Sequence, residues 1–218
     1  MSGNDDPKYQ DGEPPGPESV GEDVIISPDT RRGNRVPPNQ SRTRKWPVLH
    51  YGSVPHIDLA EWRLDILGLV ERHLSFNWEE FRALPRVKVF SDFHCVTQWS
   101  RLGNVWEGVA VRELMDRAGI KPESKFVIPM GYDRGWTTNL PLADFLAEDA
   151  LLADTHDGEP IDADHGGPVR LVVPQLYAWK SAKWLKSLEL TAEDHPGYWE
   201  RGGYHNHGDP WKEERFGT

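Results

Sequence analysis

The apolar residues of this chain come in short runs broken by turn chemistry, and none approaches the roughly 18 consecutive apolar residues of a membrane span. That segmentation decides the fold class. A chain of 218 residues built this way must assemble its core from short strands interspersed with short helices, an α+β arrangement and not a repeated strand–helix unit. Residues 62–70 alternate and end in turn chemistry, as a strand does. Residues 76–84 read as a short helix with Ser75 as its N-cap. Residues 88–93 form a strand that delivers His94 and Cys95 at its end, and residues 111–118 an amphipathic helix stopped by Gly119. Residues 125–130 are strand-like, 142–146 make a helical turn or two, 169–173 a buried strand and 183–191 an edge strand. Residues 1–45 are rich in Pro, Gly, Asp, Glu and Arg, with Val24, Ile25 and Ile26 as their one apolar run. They read as a flexible tail partly draped over a single domain that occupies residues 46–218.

The balance of 25 basic against 35 acidic residues, a net charge of −10, excludes general nucleic-acid binding, which rests on basic surface. It also means that an anionic ligand needs a local cluster of cations. Ten tryptophans are many for this length. Such rings usually bury with their N–H bonded, and several here stand near Gly, His and Arg, which suits packing or the walls of a ligand cleft. A single cysteine excludes an intramolecular disulfide and points to an intracellular protein. Arg31 and Arg32 have the look of a twin-arginine export signal, but Gly33, Asn34, Pro37 and Pro38 stand where the apolar stretch should follow. The expectation is therefore a cytoplasmic protein without a targeting segment.

A lone cysteine is most often a small buried hydrophobe. As a nucleophile, Cys95 would need a histidine and an Asn or Asp, for which His94, His165 and Asn139 are available; that reading gives a cysteine-dependent hydrolase. His94, however, is adjacent on a strand and points to its other side. As a metal ligand, one thiol cannot build a multi-cysteine zinc site, but it suits a metal whose other ligands arrive with a cofactor. A second block spans residues 165–174 and 179–185. By composition it reads as a Gly turn, a core strand and a solvated lysine loop. Yet Arg170 interrupts an apolar strand, where a cation requires an anionic partner, and Lys180, Lys183 and Lys186 follow closely. A phosphate would satisfy them. In the aromatic tail, residues 198–216, His205, His207 and Asp209 could hold a stray metal or form part of a clasp packed on the domain.

Residues 91–101, from Ser91 through Cys95 to Arg101, followed by Trp106, Glu107, Gly108 and Val109, resemble the metal-ligand segment of the sulfite-oxidase-like molybdopterin oxidoreductases. The likeness is nearest to the small bacterial members and to the methionine-sulfoxide reductase subunit, and it runs from about Trp46 to the end of the chain. It implies a sulfite-oxidase-type domain with mixed sheets and short helices, and a bound molybdenum–molybdopterin cofactor with Cys95 as the protein's metal ligand. The implied reaction is two-electron oxygen-atom transfer on a small-molecule substrate, S-oxide reduction or sulfite-like oxidation, with a separate electron-transfer partner. His165, Arg170, Ser181, Ala182 and Lys183 would hold the pterin and its phosphate, and Trp46, Leu49 and His50 would line the first cofactor loop. Sulfite-oxidising members carry a substrate-binding Arg where this chain has Leu49, and the Tyr-Glu pair of the methionine-sulfoxide reductases is absent. Trp136 stands near the place of a substrate-side Tyr, where it shapes a pocket but supplies no acid. A cofactor-binding protein without turnover is the remaining alternative.

Overall fold

The computed structural model describes residues 14–217 and folds them around two β-sheets. The first sheet is centred on an antiparallel hairpin of β5 (Val87–His94) and β6 (Trp99–Ala110). β1 (Val24–Ile26) lies parallel to β5, and β2 (Ser41–Arg42) parallel to β6. β9 (Leu151–His156) pairs antiparallel with the far half of β6 and carries β10 (Glu159–Pro160) and β11 (Arg170–Val172). The second sheet runs in the order β4 (Leu74–Asn77), β3 (Arg63–Gly68), β12 (Leu185–Thr191), β7 (Phe126–Gly131), β8 (Leu140–Pro141). The α-helices among the described residues are short: α1 (Trp78–Arg82), α2 (Val111–Ala118), α3 (Leu142–Phe145) and α4 (Tyr198–Arg201). This is the α+β architecture that the segmentation of the sequence implies.

Helix α2 shows how pattern becomes packing. Val111, Leu114, Met115 and Ala118 fall on one helical face and are all buried, and Gly119, at φ 73°, ends the helix. That face joins Trp62, Leu64, Ile66, Leu188 and Leu190 in the main core. Truncating Leu114 to Ala there would cost about 2–5 kcal/mol. A second cluster, with Phe93, Trp106 and Val172, forms on the hairpin sheet, and a third joins Cys95 and Val96 to Tyr177 and Trp179.

Three expectations need correction. The helix expected over 76–84 covers only Trp78–Arg82, because Ser75 and Phe76 belong to β4; the cap is Asn77, which exchanges hydrogen bonds with Glu80 in a capping box. The edge strand expected at 183–191 is β12, which begins at Leu185 and is central, parallel to β3 on one side and antiparallel to β7 on the other. The expected tail contributes β1 and β2, so the boundary at residue 45 is crossed by sheet hydrogen bonds; residues 1–13 of that tail lie outside the described residues.

Candidate functional site

Cys95 sits at the tip of the β5–β6 hairpin. Its N–H donates to Trp99 O at 2.9 Å, its carbonyl accepts from Gln98 N at 3.0 Å, and Gln98 takes the left-handed φ of 69° that closes the turn. Strand alternation sends His94 the other way. His94 is buried, with Nδ1 2.8 Å from Ser100 Oγ, and burial holds its pKa down at about 4. The Cys95 sulfur instead accepts a hydrogen bond from Thr97 Oγ1 at 3.2 Å. Burial pushes the thiol's pKa up, opposed by Thr97 and by the charges of Arg215 and Lys183. Behind the turn, Arg215 Nη1 donates to Val96 O at 2.7 Å and Nη2 reaches Pro38 O and Asn39 O, tying the last described residues and the segment before β2 to the thiol's loop.

The thiol opens onto a cavity of about 190 Å³ whose walls come from every part of the chain. Trp46, Leu49, His50 and Tyr51 form one side, Arg170, Ser181 and Lys183 another, and Trp136, Trp179, Trp199 and Tyr204 an aromatic third. Of the residues expected here, Trp46, Leu49, His50, Cys95, Arg170, Ser181 and Lys183 line the cavity. His165 and Ala182 are not among its lining residues. His165 stacks on Trp46 at 4.0 Å between centroids and places its ring nitrogens at 2.8 Å from Asp162 Oδ1 and 3.0 Å from Trp46 O, so it supports the wall. Ala182 is fully buried, and its carbonyl accepts from Leu171 N.

The cations divide in a way composition did not reveal. Arg170 is 2% exposed and meets no carboxylate. Its Nη1 donates to His165 O at 2.7 Å and its Nη2 to Ser181 O at 3.1 Å, while the guanidinium packs within 6 Å of the rings of Trp46, Phe93 and Trp106. Burial lowers its pKa to about 9. Lys183 Nζ donates to Asp164 O at 2.7 Å, and burial, then repulsion from Arg170, brings its pKa down to about 7. Neither forms an ion pair among the described residues: Arg170 touches no carboxylate, and Lys183 beside it is left able to take up a proton when an anion arrives. Gly166 (φ 103°) lets this happen: a Cβ there would meet the Lys183 side chain at 2.7 Å. Lys180 and Lys186, grouped with them in sequence, are elsewhere. Lys180 is buried against Glu200 at 2.7 Å, and Lys186 is exposed beside Tyr132. His207 is held between Asp144 Oδ2 and Glu214 Oε2, each at 2.8 Å, a clasp for the tail.

Sequence reasoning missed Thr97, Asp133, Trp179 and Tyr204 as site residues. Asp133 lines the cavity, has Oδ1 buried without a hydrogen-bond partner, and is pushed up to about pKa 6 by burial. The surplus of tryptophan was the available signal for the aromatic wall.

A family model described as "Oxidoreductase molybdopterin binding domain" matches residues 51–199. The chain is 52% identical over 186 residues, 85% of its length, to the uncharacterized oxidoreductase YuiH of Bacillus subtilis, of which it covers 93%. It is 31% identical, over 77% of its length, to the putative protein-methionine-sulfoxide reductase subunit YedZ1 of Azospira oryzae, of which it covers 64%. Among solved structures it resembles the sulfane dehydrogenase SoxCD of Paracoccus pantotrophus with a TM-score of 0.62 and 26% identity, covering 66% of this chain and 42% of that one.

Proposed function

Because the chain belongs to the family of molybdopterin-binding oxidoreductases, enzymes that use a molybdenum cofactor, we propose that it transfers an oxygen atom to or from a small neutral substrate, such as an organic S-oxide, with Cys95 as the metal's protein ligand. The observation that carries this reading is the pairing of a thiol with two basic groups that have no ion pair among the described residues, Arg170 and Lys183, on the wall of one cavity. The residues fit the cofactor's two chemical demands: a sulfur donor for the metal and a positive niche for the phosphate. The bound cofactor supplies the two-electron redox change.

The chain's own groups do the rest. Thr97 Oγ1 supports the Cys95 sulfur. Arg170 holds the turns at His165 and Ser181 and keeps donors over for an anion, since a guanidinium has five N–H groups. Trp136, Trp179, Trp199 and Tyr204 exclude water and orient a small apolar group. Asp133, which burial raises to about pKa 6, can take up and release a proton near neutral pH, and S-oxide reduction consumes protons. Leu49, half exposed at 51%, offers no charge to sulfite, which favours a neutral substrate. The hydrolase reading is disfavoured, because the histidine beside Cys95 faces away, His165 does not line the cavity and burial disfavours the thiolate. We also place the protein in the cytoplasm, on the strength of its single cysteine; no described helix is long and apolar enough to cross a membrane.

Protein purified from a host that makes the cofactor should carry close to one molybdenum and one pterin per chain, and should reduce methionine sulfoxide or dimethyl sulfoxide with reduced methyl viologen faster than it oxidises sulfite with ferricyanide. Cys95→Ser should abolish nearly all turnover while retaining pterin. Neither metal nor pterin in the purified protein, or an active Cys95→Ser enzyme, would overturn the reading.

A further inference from the structure

Charge is distributed unevenly along this acidic chain. No Asp or Glu occurs between Asp29 and Asp58, whereas Arg31, Arg32, Arg35, Arg42, Arg44 and Lys45 all fall there. Arg32 and Arg35 are neutralised by Asp29 and Asp92. Arg42, Arg44 and Lys45 are exposed and have no ion pair among the described residues. The fold fixes this run beside the thiol: Ser41 N donates to Gln98 O at 2.8 Å, Thr43 N to Ser100 O at 2.9 Å, and Gln40 Nε2 to Cys95 O at 3.0 Å. The chain then passes directly into Val48, Leu49 and Tyr51, which are 42%, 51% and 51% exposed, the latter two lining the cavity. The result is a cationic edge joined to an apolar lip at the mouth of the site.

We propose that this rim, Arg42, Arg44 and Lys45 with Val48 and Tyr51, is the docking surface for an acidic electron-carrier protein. The inference rests on the redox reading above. Reduction of an S-oxide, R2SO + 2 H⁺ + 2 e⁻ → R2S + H2O, takes its two electrons from outside the substrate, as two one-electron steps from a reduced carrier. A single cysteine cannot ligate an iron–sulfur cluster within the chain. The electrons therefore cross the protein's surface, and the cavity mouth is where that surface meets the thiol. A positive edge on a negative protein steers and orients an acidic partner and acts mainly on the association rate. The apolar lip supplies the dry centre that such interfaces place inside a polar rim.

The test uses the molybdenum-loaded enzyme, methionine sulfoxide, and two reductants: an acidic [2Fe–2S] ferredoxin and methyl viologen. Arg42→Glu/Arg44→Glu/Lys45→Glu is compared with Arg117→Glu/Lys121→Glu/Lys125→Glu, which makes the same change in net charge with residues that do not line the cavity. The rim variant should lose about tenfold or more in ferredoxin-driven rate at low salt, and the wild type should lose a similar factor when salt is raised to screen the rim. The control variant should keep its ferredoxin rate, and all three should keep their molybdenum content and viologen-driven rate. Equal ferredoxin rates in rim and control variants would overturn the proposal. So would a rim variant whose defect is confined to molybdenum loading, or to sedimentation with phosphatidylserine vesicles, which would mark a cofactor-delivery or membrane surface. Ferredoxin binding at both salt levels, measured on the same proteins, decides the rim even if methionine sulfoxide is not turned over. Failure of viologen-driven turnover and absence of molybdenum would instead strike the redox reading.

Discussion

Two buried cations, Arg170 and Lys180, stand ten positions apart in one sequence block, and the fold treats them oppositely. Lys180 is fully buried in a closed set of partners: Glu200 at 2.7 Å, Asn139 O at 2.9 Å, Asn139 Oδ1 at 3.0 Å and Asn206 O at 2.5 Å. Glu200 also accepts from Trp179 Nε1 and Thr138 Oγ1, so this ion pair positions an aromatic wall of the cavity. Arg170 has only carbonyls and ring faces, and its charge is left unanswered beside an opening. The lesson is that burial alone does not separate a cation closed off by the fold from one left open to a ligand. What separates them is whether the protein supplies the counter-charge itself.

The contrast breaks first at Arg170. Arg170→Leu should leave mostly apo protein. Removing one partner of a buried charge pair costs on the order of 3–5 kcal/mol, a roughly hundred-fold or greater loss of cofactor affinity. Molybdenum per chain, in variants made in one host, measures this. At Lys180 a similar energy should appear as stability instead: Lys180→Met leaves Glu200 buried without its cation and should cost about 3–5 kcal/mol in denaturant unfolding. The chains that do fold should load more fully than Arg170→Leu. If the two variants lose loading and stability in the same proportion, the distinction fails.

Lys183→Ala should load partly and recover when cofactor is supplied in excess, because Lys183 is less deeply held than Arg170. A pH series sharpens this. The Lys183 pKa falls from 10.5 to about 7 in the fold. Between those values the unfolded chain carries the extra proton, so the stability of the apo protein should rise with pH from about 7 upwards. Lys183→Ala should flatten that rise, and a bound anion should also flatten it by restoring the cation. Chemical unfolding of apo protein at a series of pH values checks the slope. Smallest of all, Arg112→Leu on the surface of α2, where Nε bonds only Leu146 O, should change stability by no more than about 0.5 kcal/mol and leave loading intact.

The parts of the molecule that were legible in the sequence are those where local pattern and tertiary role coincide. α2 is readable because its apolar face is also its packing face. The position of Cys95 at the end of a strand is readable because β5 and the turn after it are one continuous stretch of chain. β1 and β2 were not readable as strands: three and two residues show no period, and each is made a strand by a partner supplied from β5 or β6. β12 looked like an edge because Lys186 and Glu189 face water, yet exposure of one face says nothing about pairing along the other two sides. The capping box at Asn77 and Glu80 had the right spacing, and Ser75 competed with it only through residue type. The aromatic wall was out of reach for a different reason. Trp136 and Trp179 come from separate turns, Trp199 from α4 and Tyr204 from the turn after it, and no local rule says that these segments meet.

The cavity's walls also fix an order of events in the life of the chain. Trp46 forms one side, Tyr204 closes another, and Arg215 fastens the thiol's loop to Pro38 and Asn39. A ribosome adding roughly 5–20 residues per second takes on the order of ten to thirty seconds to travel from the first wall to the last. Until then a nascent chain displays a thiol and a cationic strand but no enclosure around them. On the proposed reading, acquisition of the cofactor would thus be a late event in biogenesis, following synthesis of residues as far along as Arg215, and the quantity a cell would match to synthesis is the supply of finished cofactor waiting at that moment.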